Sequence, residues 1–280
     1  MPELPEVETI KNAIEKGIGE AKILDLAVRN GNLRTKVPVD IAKRTKGAVI
    51  KSYKRIAKYI IVELSNEICL IWHMGMSGKI KIMPQIPSIL EKHDHIIIST
   101  DKGIMIYNDP RRFGLFTCCP KTKLTESPWL NKIGIDPFDE RLDKNYLFAK
   151  LQKHKKMPIK IALLNQEIIA GIGNIYASEI LYESRISPLR EAKDITLNES
   201  QTLIENTRKV LQRAIAAGGS TLHDYKKPDG SMGYFQLQHC VYNHTGQKCP
   251  DCCCDITKTG GIKRLVMGGR STFYCERLQK

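Results

Sequence analysis

No apolar stretch in the 280 residues approaches the eighteen or so that would suggest a membrane span. Acidic residues are scarce: 30 Asp and Glu stand against 44 Lys and Arg, leaving a net charge of +14 and a pI near 9.3. Such an excess points to a polyanionic partner, most often nucleic acid. The basic residues are scattered through the chain, which argues against an anionic membrane surface. A secretory leader is excluded by Glu3, Glu6 and Glu8, which precede any apolar run. Evenly spread cysteines are missing too, since six of the nine crowd between Cys240 and Cys275. That clustering reads as metal ligation in a reducing compartment and argues against a disulfide framework. The length is ample for a large core and suggests two domains with a small appendage.

What is present begins at the first nine residues, MPELPEVET. The small Pro2 favours removal of the initiator methionine, which would leave a secondary amine beside the Glu3 carboxylate. A chain-end amine has a pKa of about 7.7 to 8.0 against about 10.4 for lysine, so far more of it is an unprotonated nucleophile at neutral pH. Amines of this kind catalyse through Schiff bases with a neighbouring acid moving protons, a task for Glu3 with Glu6 close by.

Val7, Ile10 and Ile14 then give one-sided helical spacing over Val7–Glu15. Short strands are predicted over Lys22–Val28, Ala48–Tyr53, Tyr59–Leu64, Ile68–His73, Lys79–Met83, His95–Thr100, Gly103–Tyr107 and Leu115–Cys118. Strands about ten residues apart, with polar turns between them, predict a β-sandwich or barrel. Two glycine-bearing turns, His73–Gly78 and Asp109–Gly114, carry Met76, Arg111 and Phe113. A Met wedge, a Phe wedge and an arginine on turns suit insertion into a base stack. The Lys92–His95 cluster is read as a phosphate contact at a strand entrance in preference to a metal pair.

Helical spacing dominates afterwards, over Tyr146–Leu151, Ile159–Leu164, Ile175–Tyr182 and Leu197–Ala217. The turn Ala170–Asn174 opens a helix and forms a candidate anion site, with Lys155, Lys156 and Lys160 as a phosphate clamp upstream.

The motifs MPELPEVET, RIAKYI, HMGMSG, KHDH, DPRRFG, AGIGNIYASE, AAGGSTL and GRSTFYC stand in one order along the chain. In that order the sequence resembles the Fpg/Nei family of DNA glycosylases, on its Fpg side. The resemblance implies an α+β multidomain fold: an N-terminal catalytic β-sandwich over 1–128, a linker over 129–145, a helix-two-turn-helix domain over 146–238 and a zinc-finger-like β-hairpin over 239–280. Duplex DNA with oxidised or abasic sites would bind between the domains of a monomeric, cytoplasmic (in a bacterium, nucleoid-associated) enzyme.

The implied roles are specific to positions. Pro2 attacks C1′ of the damaged nucleoside, Glu3 assists ring opening, Lys58 takes part in β-elimination and Arg270 in δ-elimination. Met76, Arg111 and Phe113 fill the void left by the everted base. His93, Lys155 and Asn174 contact the DNA backbone, joined by Lys160, and the loop over 218–234 covers the everted base. The activity implied is a glycosylase and AP lyase acting on 8-oxoguanine and formamidopyrimidines. A pyrimidine-directed Nei-like enzyme and a catalytically inactive damage binder are the alternatives.

The finger departs from its family. Cys249, Cys252 and Cys275 are three zinc ligands, but Leu278 occupies the place of the fourth cysteine, and the spacer exceeds the roughly 15 to 20 residues of the usual pattern. Cys254, Cys253, Cys240 and His244 are the substitutes the sequence offers, and a zincless finger is the rival expectation.

Overall fold

The computed structural model describes residues 1–154, 156–220, 233–253 and 255–280. They divide into two compact units, 1–131 with 215–236, and 132–214 with 237–280.

The first unit opens with α1 (Leu4–Gly17), followed by β1 (Ile23–Val28), the short α2 (Ile41–Thr45) and strands β2 (Ile50–Ile56), β3 (Tyr59–Leu64), β4 (Ile68–His73), β5 (Lys79–Met83), β6 (Asp94–Thr100), β7 (Gly103–Asn108) and β8 (Leu115–Pro120). Two four-stranded sheets result, ordered β1-β6-β7-β5 and β2-β3-β4-β8, with antiparallel pairing throughout. Their inward residues share one core, from Ile23, Ile96 and Tyr107 on one sheet to Ile60, Trp72 and Phe116 on the other. This is the β-sandwich that the regular strand spacing predicts. Helix α1 joins that core through Val7, Ile10 and Ile14. It starts three residues ahead of the predicted Val7, because Pro5 suits a first helical turn where its missing N–H costs nothing.

The second unit holds α3 (Lys144–Lys153), α4 (Ile159–Leu164), α5 (Asn174–Glu183) and α6 (Leu197–Ala216), the last reaching the boundary between the units. It continues through α7 (Ile256–Thr259) to the antiparallel hairpin of β9 (Lys263–Met267) and β10 (Arg270–Tyr274). The stretch expected as a linker is divided: it stays with the first unit to Asn131 and joins the second from Lys132. There the Arg208 guanidinium donates to the carbonyls of Pro137, Asp139 and Leu142, fixing a segment that has no regular structure. No helix among the described residues is long and apolar enough to cross a membrane.

Candidate active site and nucleic-acid interface

In the first unit, chain geometry concentrates charge at the start of α1. Glu3 is its N-cap residue, and Pro2, Glu3 and Glu6 are all buried. The Glu6 carboxylate turns back to accept the Glu3 N–H at 2.8 Å through Oε2, the return arm of a capping box. Its other oxygen accepts the Ser220 N–H at 2.8 Å. Gly219, at φ +79°, lies so close to Glu6 that an added Cβ would come within 2.9 Å of the carboxylate oxygen. One buried carboxylate thus ties the α1 start to the entry of the glycine-led loop, whose residues 221–232 lie outside the described residues.

Lys58 sits in the two-residue turn between β2 and β3, yet is only 6% exposed. Its neighbour Ala57 holds φ +53°, a conformation that costs a non-glycine residue energy and concentrates at functional turns. Arg55, on the same hairpin, is paired with Glu8 of α1 at 2.7 Å.

The two turns carrying the wedge residues are locked to one buried side chain, Asp109. Its Oδ1 accepts from the Ser77 hydroxyl at 2.6 Å, and its Oδ2 accepts from the Gly114 N–H at 2.8 Å and the Tyr107 hydroxyl at 3.3 Å. Ser77 in turn accepts the Arg111 N–H at 3.1 Å. The turns meet so tightly that a Cβ on Gly75 would fall 2.4 Å from the Phe113 carbonyl carbon. On this base Met76 and Phe113 stand 38% and 49% exposed, with the Arg111 guanidinium 5.0 Å from the Phe113 ring centroid. Exposed apolar tips on a rigid polar base are what a stack-penetrating wedge requires. Met76 and Phe113 border an open groove of about 230 Å³ together with Met1, Arg34, His73 and Gly75.

His73 is buried, and its Nδ1 accepts the Gly75 N–H at 3.0 Å. Burial first, then the charges of Arg34 and Lys58, pull its pKa down to about 4, so the ring is neutral and its Nε2 carries the proton. His93 is half-buried and edge-on to His95, whose Nε2 is 2.9 Å from the Asp109 carbonyl. Arg34 and His73, which border the groove, and Asp109, which anchors its turns, were not singled out from the sequence. The turn motifs containing Asp109 and His73 were the available signal; Arg34 had none.

The second unit corrects one expectation. Lys160 is fully buried, and its ammonium donates to Asn174 Oδ1 at 2.7 Å, the Thr272 hydroxyl at 2.6 Å and the Ser271 carbonyl at 3.1 Å. It is an internal tie from α4 to α5 and β10, and no phosphate can reach it. Asn174 opens α5, with its amide also donating to the Ser271 carbonyl at 2.9 Å. Arg270 is exposed at the start of β10, after the two-residue turn Gly268–Gly269. Buried Glu179 accepts the N–H groups of Cys240, Val241 and Tyr242 at 2.8, 3.1 and 2.8 Å, and burial pushes its pKa up against the pull of those bonds. Lys155 and Cys254 lie outside the described residues.

Cys249, Cys252 and Cys275 are buried with their thiols all within 4.8 Å of one another, so they could hold a metal ion. Thiolates on a tetrahedron with arms of about 2.3 Å stand about 3.8 Å apart. The Cys249 to Cys275 separation of 3.3 Å and the 4.8 Å limit bracket that spacing, so the three fit. Cys240 and His244 do not belong to the group, and Leu278 packs against the larger apolar cluster that joins the three cysteines to Tyr182, Val241, Ile262 and Phe273.

The sequence model of the formamidopyrimidine-DNA glycosylase N-terminal domain matches residues 1–116, and that of the formamidopyrimidine-DNA glycosylase H2TH domain matches residues 133–226. A formamidopyrimidine-DNA glycosylase of Rhodospirillum rubrum is 42% identical over 283 residues, covering the whole of both chains. Two solved structures of Lactococcus lactis Fpg match at 32% identity and a TM-score of 0.90, each match covering the whole of both chains. One is a variant bound to DNA containing Fapy-dG; the other is bound to DNA containing an abasic site.

Proposed function

The chain belongs to the formamidopyrimidine-DNA glycosylase family, and from that premise we propose that it excises oxidised purines, 8-oxoguanine opposite cytosine and formamidopyrimidines, from duplex DNA and then cleaves the strand as an AP lyase. The observation carrying this reading is the buried Pro2–Glu3 start of α1 in the same compact unit as the wedge platform of Met76, Arg111 and Phe113.

Once Met1 is removed, the Pro2 nitrogen bonds to C1′ of the damaged nucleoside. The bond from C1′ to the base breaks, and the electron pair leaves with the base. Glu3 delivers a proton to the sugar ring oxygen as the ring opens, and loss of the nitrogen's proton leaves an iminium. That cation acidifies the C2′ protons, so a base removes one and the 3′ phosphate leaves in β-elimination, with Lys58 in attendance. Arg270 serves the second elimination, which expels the 5′ phosphate. His93, Asn174 and Lys155 hold the DNA backbone, and Arg111 faces the orphaned base. One zinc ion would be held by Cys249, Cys252 and Cys275, where it would brace the hairpin that bears Arg270 and supply no step of the chemistry.

Borohydride tests the covalent step, because an iminium is the intermediate here that hydride fixes. Duplex bearing 8-oxoguanine should give a trapped protein–DNA adduct. Pro2→Gly should weaken trapping, and Glu3→Gln should abolish base excision while sparing cleavage of preformed abasic sites. Equal trapping by protein that retains Met1 would refute the terminal amine. A panel of purine and pyrimidine lesions decides the substrate class, and absence of any excision would leave a damage binder.

A further inference from the structure

Strand β6 carries one extra residue against β7. Asp94 pairs with Asn108 and Ile96 with Tyr107, which leaves His95 without a place in the ladder. A bulge of this kind re-aims the side chain it bears. The His95 ring is only 2% exposed, so Lys92 and His93 are the members of that basic cluster which DNA can reach. Its Nε2 lies 2.9 Å from the Asp109 carbonyl oxygen, and the same oxygen accepts the Arg112 N–H at 3.2 Å. Asp109, Pro110, Arg111 and Arg112 thus form a hydrogen-bonded β-turn with Arg111 as its third residue.

A carbonyl only accepts, so Nε2 carries the ring proton and Nδ1 is left buried with no hydrogen-bond partner among the described residues. A buried acceptor without a partner costs stability, and what the other nitrogen holds accounts for a histidine at this position. The turn needs holding. Arg112 closes it at φ +55°, a conformation that persists in a residue with a side chain only where the surroundings impose it. The Asp109 carboxylate grips Ser77, Tyr107 and Gly114 on either side, while His95 supplies a side-chain donor to the carbonyl on which the turn closes. All of these residues lie in one compact unit.

Resting on the role of Arg111 given above, we propose that His95 is a positioning residue for discrimination of the opposite base: its Nε2–H holds the Asp109 carbonyl, and through the Asp109–Arg112 turn it fixes the direction in which Arg111 leaves the platform. His95 itself touches no atom of the DNA.

Binding of the full-length protein to duplexes carrying tetrahydrofuran, a stable abasic analogue, opposite each of the four bases tests this without depending on excision. The parent should rank the four bases, and Arg111→Ala should compress the ranking. His95→Phe keeps a ring but loses the donor, and should compress the ranking severalfold, toward that of Arg111→Ala. His95→Gln, whose amide can still donate to the Asp109 carbonyl, should recover most of it. In the Arg111→Ala background His95→Phe should compress the ranking no further, because both act through one side chain. Uniform weakening against all four bases, full additivity of the two substitutions in the ranking, or an unchanged ranking in His95→Phe would each overturn the proposal. Should His95→Phe fail to fold, as urea unfolding would show, the shorter His95→Asn replaces it beside His95→Gln, and equal rankings in those two would overturn the proposal. An unchanged ranking in Arg111→Ala would overturn it together with the place of Arg111 in the void. A chain that gives every expected ranking yet excises no oxidised purine would uphold the role of His95 and overturn the proposed activity alone.

Discussion

Lys160 shows how residue type and residue role separate. A lysine near a glycine turn reads as a phosphate ligand, because sequence reports charge and spacing but not which side of a helix faces inward. In the structure its ammonium satisfies three acceptors on α5 and β10. Lys160→Met should therefore lower folding stability by on the order of 2–3 kcal/mol, the cost of stranding buried acceptors. Urea unfolding measures that loss, and the salt dependence of DNA binding should stay within half a unit of the parent slope. A slope reduced by a full unit at unchanged stability would restore the phosphate role. His73 gives a prediction in pH. Its folded pKa of about 4 lies below the ordinary 6.5, so the unfolded chain binds the extra proton between those values. The stability it contributes is present above about pH 6.5 and is lost as pH falls toward 4, by on the order of 3 kcal/mol. Urea midpoints taken from pH 7 to pH 4.5 should fall less steeply in His73→Asn. Part of the slope will persist, since burial also lowers His239 to about 4.

At the scale of elements, the sandwich strands were legible because each alternates or runs apolar between polar turns. Tyr59–Leu64, Ile68–His73 and Lys79–Met83 keep their predicted limits. Short helices were not legible. Ile41–Thr45 and Ile256–Thr259 are too brief for a period to register, and the second is held by its caps, Asp255 accepting from the Thr257 N–H and Gly260 at φ +70°. Met76, Arg111 and Phe113 were legible as residue types on turns. The Asp109 hub beneath them was not, since its hydrogen bonds reach residues 32 and 5 positions away. The β9–β10 hairpin turns on Gly268 and Gly269 at φ +55° and +73°. Gly269 has open space for a Cβ, so Gly269→Ala isolates the backbone conformation from any clash. The cost should be about 1–2 kcal/mol, the price of the left-handed region for an L-residue. Because Arg270 follows directly, the ratio of δ- to β-elimination products should fall while borohydride trapping through Pro2 is retained. Loss of both together would mean that the hairpin acts on the first step as well.

For the whole molecule, the excess of 44 Lys and Arg over 30 Asp and Glu supplies the cations that the proposed DNA complex would set against phosphates. Each phosphate neutralised on duplex DNA releases condensed counterions, giving a slope of about −0.9 in log K against log salt. Arg270 and Arg111 are both exposed, but the proposed roles differ: Arg270 meets the 5′ phosphate that the second elimination expels, and Arg111 faces the orphaned base. A backbone contact weakens binding alike for every sequence, whereas a side chain facing the orphaned base discriminates. Arg270→Ala should therefore flatten the slope by roughly one unit at an unchanged ranking of opposite bases. Arg111→Ala should leave the slope nearer the parent value and compress the ranking, because the proposed partner of its guanidinium is the edge of the orphaned base. Titrations of 8-oxoguanine duplexes carrying each of the four opposite bases, at several salt concentrations, separate the two effects. Uniform weakening by Arg111→Ala across all four bases would assign it to the backbone and remove it from the void.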